Sequence, residues 1–396
     1  MRYLARGGFW LGISRGISSL SSFILALLFA NLLPKEIYGT YTYILSIAAL
    51  LSIPTLSGVG TALIRSVAKG NDGDVKVCFY EKLKFGAIAS LASITVGVYY
   101  LIRGNVDFGI SFILIAIFIP FLEALSLYSS ILTGKKLFKE ITYYGAMSQL
   151  IIVVSMALTI FFTHNIFLIV LAYYIPRIAS RFIFYSISKK FITHPEKKDH
   201  KTVSWGRHLT ALELVGNVSS QVDRIILFQF LGPASVATYS FSIAPITHIQ
   251  AMLKNLLTLA LPKFSEQEFH QIQNTLPRKL LIFLIGLIAI SIGYVFFAPY
   301  FFAIFFPQYL DAVPYSQVAA IVLLFFPQKL ISTALTAHAR KKALYVSNIV
   351  SSSLKVGGLL IFIPFFGIWG AIYSLLLQYA SHSIILWEYF LTTKEN

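Results

Sequence analysis

The sequence predicts an all-α membrane protein of about twelve transmembrane helices in two six-helix lobes, and three observations predict it. Apolar residues make up 57% of the 396-residue chain and charged residues only 12%, about half of the roughly 25% that keeps a soluble surface wet. Uncharged apolar runs recur along the chain, each long enough for the about 20 helical residues that a bilayer core of about 30 Å requires. A helix–turn–helix signature near residue 32 returns half a chain later. Inside lipid each backbone polar group must be satisfied within its own segment, so the runs are helices.

Apolar windows between charge clusters place the spans at about 9–32, 38–64, 82–102, 108–132, 141–163 and 165–187 in the first half. The second half gives about 207–231, 236–262, 278–305, 312–336, 343–364 and 366–390. The run from Phe9 to Leu32 exceeds a signal-peptide core and is expected to be a retained first helix. An even number of spans puts both termini on one side. Most of the 32 basic residues fall in loops of that side, including Arg2, Arg6, Arg65, Lys82, Lys135, Lys189, Lys197, Arg207, Arg340 and Lys394, against Lys35 and Arg103 opposite. The positive-inside rule makes that side cytoplasmic. It also accounts for the net charge of +16 without nucleic acid as a partner.

The basic stretch Ser188–Ser204 has no apolar period and reads as a cytoplasmic linker, so the expected domains are a first lobe over 1–187, a linker over 188–206 and a second lobe over 207–396. In Lys263–Leu276, Phe264, Phe269, Ile272 and Leu276 fall near one helical face, which predicts an interfacial amphipathic helix. The stretches NLLPKEIYGTYTYILSI and QFLGPASVATYSFSIAP register at an offset of 198 residues, aligning Leu32–Tyr41 with Phe230–Tyr239. Arg15 then falls opposite Glu213. Six spans per copy enter from one side, so the repeats are parallel, related by a pseudo-twofold along the membrane normal, with a substrate site expected near mid-membrane.

Charges within the spans point to a function. The cations are Arg15, Arg177, Arg181, Arg224, Lys254, Lys329 and Lys355; the anions are Glu123, Glu213 and Asp223, with Glu388 near a span end. A charge at the bilayer centre costs at least about 2.5–3.5 kcal/mol, so these groups are expected to face one another or a wet cavity. Arg181 and Lys329 lie towards span ends, where snorkelling is the alternative. Asp223 and Arg224, adjacent in a helix, point about 100° apart and are not expected to pair. Glu213 has Lys254 or Arg15 as a possible partner. Arg177 follows Pro176 and shares a face with Tyr173 and Arg181 at four-residue spacing. Arg15 and Arg177, then Lys355 and Lys254, with Arg181 and Arg224, are the substrate-binding candidates. An excess of cations suits an anion such as pyrophosphate, whose oxygens Arg meets bidentately, and Tyr41, Tyr43, Tyr173, Tyr174 and Tyr239 could stack on sugar rings, with interfacial belts and packing the commoner role for tyrosines in such a chain.

Several chemistries are absent from the pattern. There is no phosphate-binding GxxxxGK[ST] loop, since Gly134-Lys135-Lys136 lacks the rest of it, and no HExxH. The single cysteine, Cys78, excludes a cysteine-based metal cluster. No cofactor, no metal and no catalytic residue are expected, and external loops of a few residues leave little room for an enzyme.

The first helix with Arg15 and its Ser-rich turn, LLPKEIYGTYTY, and VDRIILFQFLGPASVATYSFS together resemble the Wzx-type O-antigen flippases, the polysaccharide exporters of the multidrug/oligosaccharidyl-lipid/polysaccharide superfamily. The likeness spans the chain in length, repeat and span count. It implies a V-shaped pair of lobes that alternates between inward and outward openings in the inner (cytoplasmic) membrane. The implied cargo is an undecaprenyl-pyrophosphate-linked oligosaccharide, and membrane lipids, a polysaccharide polymerase and a chain-length regulator are the implied partners. It further implies H+ or Na+ coupling, for which Glu123, Glu213 and Asp223 are the candidates. The competing readings are a cation-coupled drug exporter of the same fold, which needs acids rather than bases in its lumen, a membrane enzyme of glycan assembly, and a scaffold.

Overall fold

The computed structural model describes residues 2–199, 201–338 and 340–392; side chains at 2–9, 11, 15, 212, 255, 256, 258, 259 and 261–263 lie outside that description. Among the described residues the chain is helical with no strand. The first half contains α1 (Arg2–Leu32), α2 (Lys35–Leu51), α3 (Ser57–Ala68), α4 (Asp74–Ile102), α5 (Val106–Leu125), α6 (Leu127–Gly134), α7 (Phe138–Phe162) and α8 (Ile166–Ser188). There follow α9 (Thr202–Leu231), α10 (Pro233–Ser265), α11 (Phe269–Phe305), α12 (Val313–Ala319), α13 (Gln328–Ala337), α14 (Lys341–Phe366) and α15 (Ile368–Thr392). Helix is present at each of the twelve expected spans. By length and composition 8 described helices can cross a membrane, or 9 if a pair broken by 44° is one span. That pair is α2 with the segment Ile53–Ala68. Pro54 lacks the N–H an unbroken helix needs, and Leu56 adopts a left-handed φ of 63°, so the span kinks there.

Local chemistry sets the other breaks. Pro34 lies between α1 and α2, and Gly232 between α9 and α10 holds φ 78° just before Pro233. Glycine reaches that φ without a Cβ clash, and proline costs nothing at a first helical position. The tenth stretch is the least regular, with 3₁₀ turns at Pro307–Ala312 and Ala320–Phe325 flanking α12.

The chain forms two compact units, Met1–Asn217 and Val218–Asn396. The first takes in the linker segment and the first half of α9. In it, Leu63, Val67, Val75, Leu127, Ile131 and Tyr185 form one buried cluster. α3 and the start of α9 approach very closely. A Cβ on Gly58 would lie 2.6 Å from the Gly206 carbonyl oxygen, and one on Gly206 2.7 Å from Val59 Cα. The Gly58 N–H donates to Thr210 Oγ1 at 3.0 Å beside this contact.

The linker differs from a plain basic loop. Asp72, with no exposed side-chain surface, binds Lys135 Nζ at 2.7 Å and accepts from the backbone N–H groups of Thr193 (2.8 Å) and His194 (3.1 Å). Asp74 accepts from the Ser66 hydroxyl, the Thr202 hydroxyl at 2.7 Å and the Asp199 N–H. Burial alone would raise the Asp72 carboxyl, but Lys135 and the two N–H donors outweigh it and hold the group below the usual carboxylate range.

Two expectations require correction. Lys263–Leu276 is no interfacial helix: α10 ends at Ser265, and Phe269 opens a helix that continues to Phe305. Phe264, Phe269, Ile272 and Leu276 do share a buried face, but they pack on Ile331, Leu335, Leu386 and Phe390 in the second unit. The apolar period reveals a buried face without saying what buries it. Lys82 is also not a loop residue. It lies inside α4, 2% exposed, because that helix begins eight residues earlier than the apolar window.

Candidate functional site

In the first unit four intramembrane charges, Lys82, Glu123, Arg177 and Arg181, gather around α8. Pro176 precedes Arg177 within the helix, and the 3.6-residue period stacks Tyr173, Arg177 and Arg181 on one side. One Arg177 nitrogen donates to the Tyr173 hydroxyl at 2.5 Å, with the guanidinium carbon 5.1 Å from that ring's centroid. Tyr41 of α2 meets Tyr173 edge-on at 6.2 Å, and Tyr174 lies 5.2 Å from it. Arg181 turns into the bundle rather than out towards a surface, donating to the Leu122 carbonyl at 2.6 Å. The next residue, Glu123, pairs with Lys82 of α4 at 3.3 Å and acts electrostatically on both arginines. Among the described residues neither arginine is in an ion pair, so most of their ten N–H donors remain open to an acceptor. Three cations thus surround one carboxylate.

The second unit treats its charges differently. Lys355 of α14 and Asp223 of α9 pair at 3.2 Å with side-chain exposures of 4% and 5%. The Lys355 ammonium also donates to the Ser219 carbonyl at 2.6 Å, and the Tyr239 hydroxyl donates to Asp223 at 2.8 Å. Arg224 does not pair with its neighbour through its side chain; its Nη1 donates to Gln221 Oε1 at 3.2 Å, its buried Nε has no partner, and only its backbone N–H donates to Asp223. Lys254 is exposed. Glu213, which belongs to the first unit, accepts from the Ser57 hydroxyl at 2.9 Å, not from Lys254. The Arg15 side chain lies outside the described residues. The arrangement therefore unites Arg177, Arg181 and Glu123, and separately Lys355 and Asp223, while Lys254 and Glu213 join neither group.

Reading charges by window missed Lys82, the third cation of the first cluster. Its signal was present, since Lys82 opens an apolar run at Leu83 with only Lys84 beyond it.

A broken second span, two compact helical units and clustered internal arginines characterise an all-α membrane protein, and its fold recurs in solved structures. A MATE protein in complex with MaD5 superposes with a TM-score of 0.68 at 12% identity, covering 98% of this chain and 94% of that one. The lipid II flippase MurJ in an inward closed conformation gives 0.68 at 13% identity, covering 98% and 88%. A MOP superfamily transporter from Pyrococcus furiosus, described as having a binding pocket of reversed polarity, gives 0.65 at 13% identity, covering 98% and 94%. Residues 4–268 match the polysaccharide biosynthesis protein family, and the chain belongs to it. No curated protein sequence matches the chain.

Proposed function

We propose that this protein is a flippase that turns polyprenyl-pyrophosphate-linked oligosaccharide units, destined for O-antigen or another surface polysaccharide, from the inner to the outer leaflet of the cytoplasmic membrane. Both termini would then be cytoplasmic, in keeping with the basic loops. The observation that carries this reading is the pair Arg177 and Arg181, half-buried beside Tyr173 and in no ion pair among the described residues, since the nearby Glu123 pairs with Lys82. Two guanidinium forks suit the oxygens of a pyrophosphate, and the tyrosines suit a sugar ring. Membership of a polysaccharide biosynthesis family and the fold shared with a lipid II flippase support the same cargo class. A drug exporter for cations is disfavoured, because Glu123 and Asp223 already face lysines. We assign ion coupling, by H+ or Na+, to Glu123, whose side chain is 30% exposed, rather than to the enclosed Asp223.

The test is complementation of a strain lacking its own glycan flippase. Arg177→Ala should abolish surface glycan while the protein still inserts, and Arg177→Lys should restore only part of it, because the fork is lost. Normal display by Arg177→Ala would refute the binding role.

A further inference from the structure

Next to the Lys355–Asp223 pair of the second unit, one residue removed through Ser219, lies a cavity of about 160 Å³ between α13, α14 and α15, roughly ten times the ~10–15 Å³ that holds a single water. Its lining is polar in an otherwise apolar bundle: Gln328 and Lys329 of α13, Asn348 and Ser351 of α14, Gln378 and His382 of α15. Gln328 is 3% exposed, and its Oε1 accepts no hydrogen bond. Tyr379, also on the wall, donates to Gln250, whose own Nε2 is buried and donates to nothing. One free acceptor is thus buried on the cavity wall, and one free donor lies on the residue that Tyr379 bonds behind it, a costly arrangement without a ligand. The hydrogen bonds already made here are long: 3.5 Å from Ser351 to His382, 3.4 Å from Gln378 to Ser219, and 3.3 Å from Tyr379 to Gln250. Such contacts exchange readily for better partners.

The chemistry of the wall selects the ligand. Amides and hydroxyls that both donate and accept match sugar hydroxyls, which do the same, and the Tyr379 ring offers an apolar face. Lys329 supplies a single positive charge, in no ion pair among the described residues, and the wall holds no carboxylate. That excludes a metal cation. A pyrophosphate would need more charge and the fork of an arginine, whereas a ring of hydroxyls with one negative group fits. We propose that this cavity binds one acidic sugar unit, a saccharide carrying a carboxylate. The proposal rests on the reading of the chain as an oligosaccharide carrier and adds a selectivity for the cargo. The last helix of each half then differs in what it offers the cargo, guanidinium groups for phosphate from α8 and one amide, Gln378, with Tyr379 and His382 for sugar from α15.

The test is saturation-transfer NMR on the purified, detergent-solubilised full chain, with glucuronate, glucose and inorganic pyrophosphate as probes. Glucuronate should bind more tightly than glucose, and Lys329→Met should weaken glucuronate by about tenfold, the factor a charge-assisted hydrogen bond supplies, leaving glucose unchanged. Asn348→Ala, at the exposed rim, should weaken both sugars without disturbing the fold. Equal binding of the two sugars, or a Lys329→Met variant that binds glucuronate normally, would overturn the assignment. So would glucuronate that is displaced by pyrophosphate and lost in Arg177→Ala, since the acid would then occupy the arginine cluster. Pyrophosphate failing to bind while glucuronate depends on Lys329 would instead leave this pocket standing and count against the arginine cluster.

Discussion

Lys355 and Asp223 illustrate how a buried charge is constrained by its partner. Each is enclosed, so removing one leaves the other unpaired in a poorly polarisable interior, whereas removing both leaves neutral groups of similar shape. Lys355→Met is expected to destabilise the protein by about 3–5 kcal/mol, and adding Asp223→Asn to recover much of that loss, as read by unfolding in detergent. A double variant no better than the single one would show that Tyr239 and Ser219, rather than the ammonium, hold the carboxylate. Arg177 is the contrasting case, a half-buried cation in no ion pair among the described residues. Its face shared with Tyr173 and Arg181 was legible in the sequence because four-residue spacing alone creates it. The pairing of Lys355 with Asp223 was not legible, because the two lie 132 residues apart and only packing brings them together.

At the scale of elements, close helix approach and the docked linker invite opposite kinds of test. Gly206 has no room for a Cβ against Val59, while a Cβ on Gly216, ten residues along the same helix, meets nothing within 4 Å. Gly206→Ala should therefore destabilise by about 1–3 kcal/mol, and Gly216→Ala should stabilise by about 0.5–1 kcal/mol through helix propensity; thermal unfolding of the two variants separates them. The linker is tied down through Asp72. A carboxyl held below its unfolded value contributes stability that is complete above that value and is lost as pH falls through the folded one. The linker should therefore stay docked at neutral pH and loosen only below the ordinary carboxylate range, near pH 3.9. Asp72→Ala should speed tryptic cleavage at Lys197 and Lys198 by about tenfold, a local unfolding gain of about 1.4 kcal/mol. An unchanged cleavage rate would show that Asp74 alone retains the segment. Composition marked this stretch only as basic and loop-like, since its anchors are two acids more than a hundred residues upstream in the chain.

For the molecule as a whole, the sign of the charge on the cargo matters. A head group of net charge −2 moving outward from a negative cytoplasm gains about 4.6 kcal/mol per 100 mV, at about 2.3 per charge. Within the proposed function, reconstituted vesicles with an inside-negative potassium diffusion potential should flip the lipid-linked substrate outward faster than vesicles whose potential is collapsed. A rate indifferent to potential would mean that a cation travels with the cargo. The sequence by itself determined the all-helical class, the twelve helical stretches and the excess of internal positive charge, because apolar length and charge count are local and additive properties. Only the tertiary structure decided that Lys82 belongs with Glu123, that Lys355 is closed upon Asp223, that the face of Phe269 and Ile272 packs on protein, and that scattered amides of α13 and α15 share a cavity. Those outcomes depend on which helix faces meet, and helix packing joins residues that no single apolar window contains.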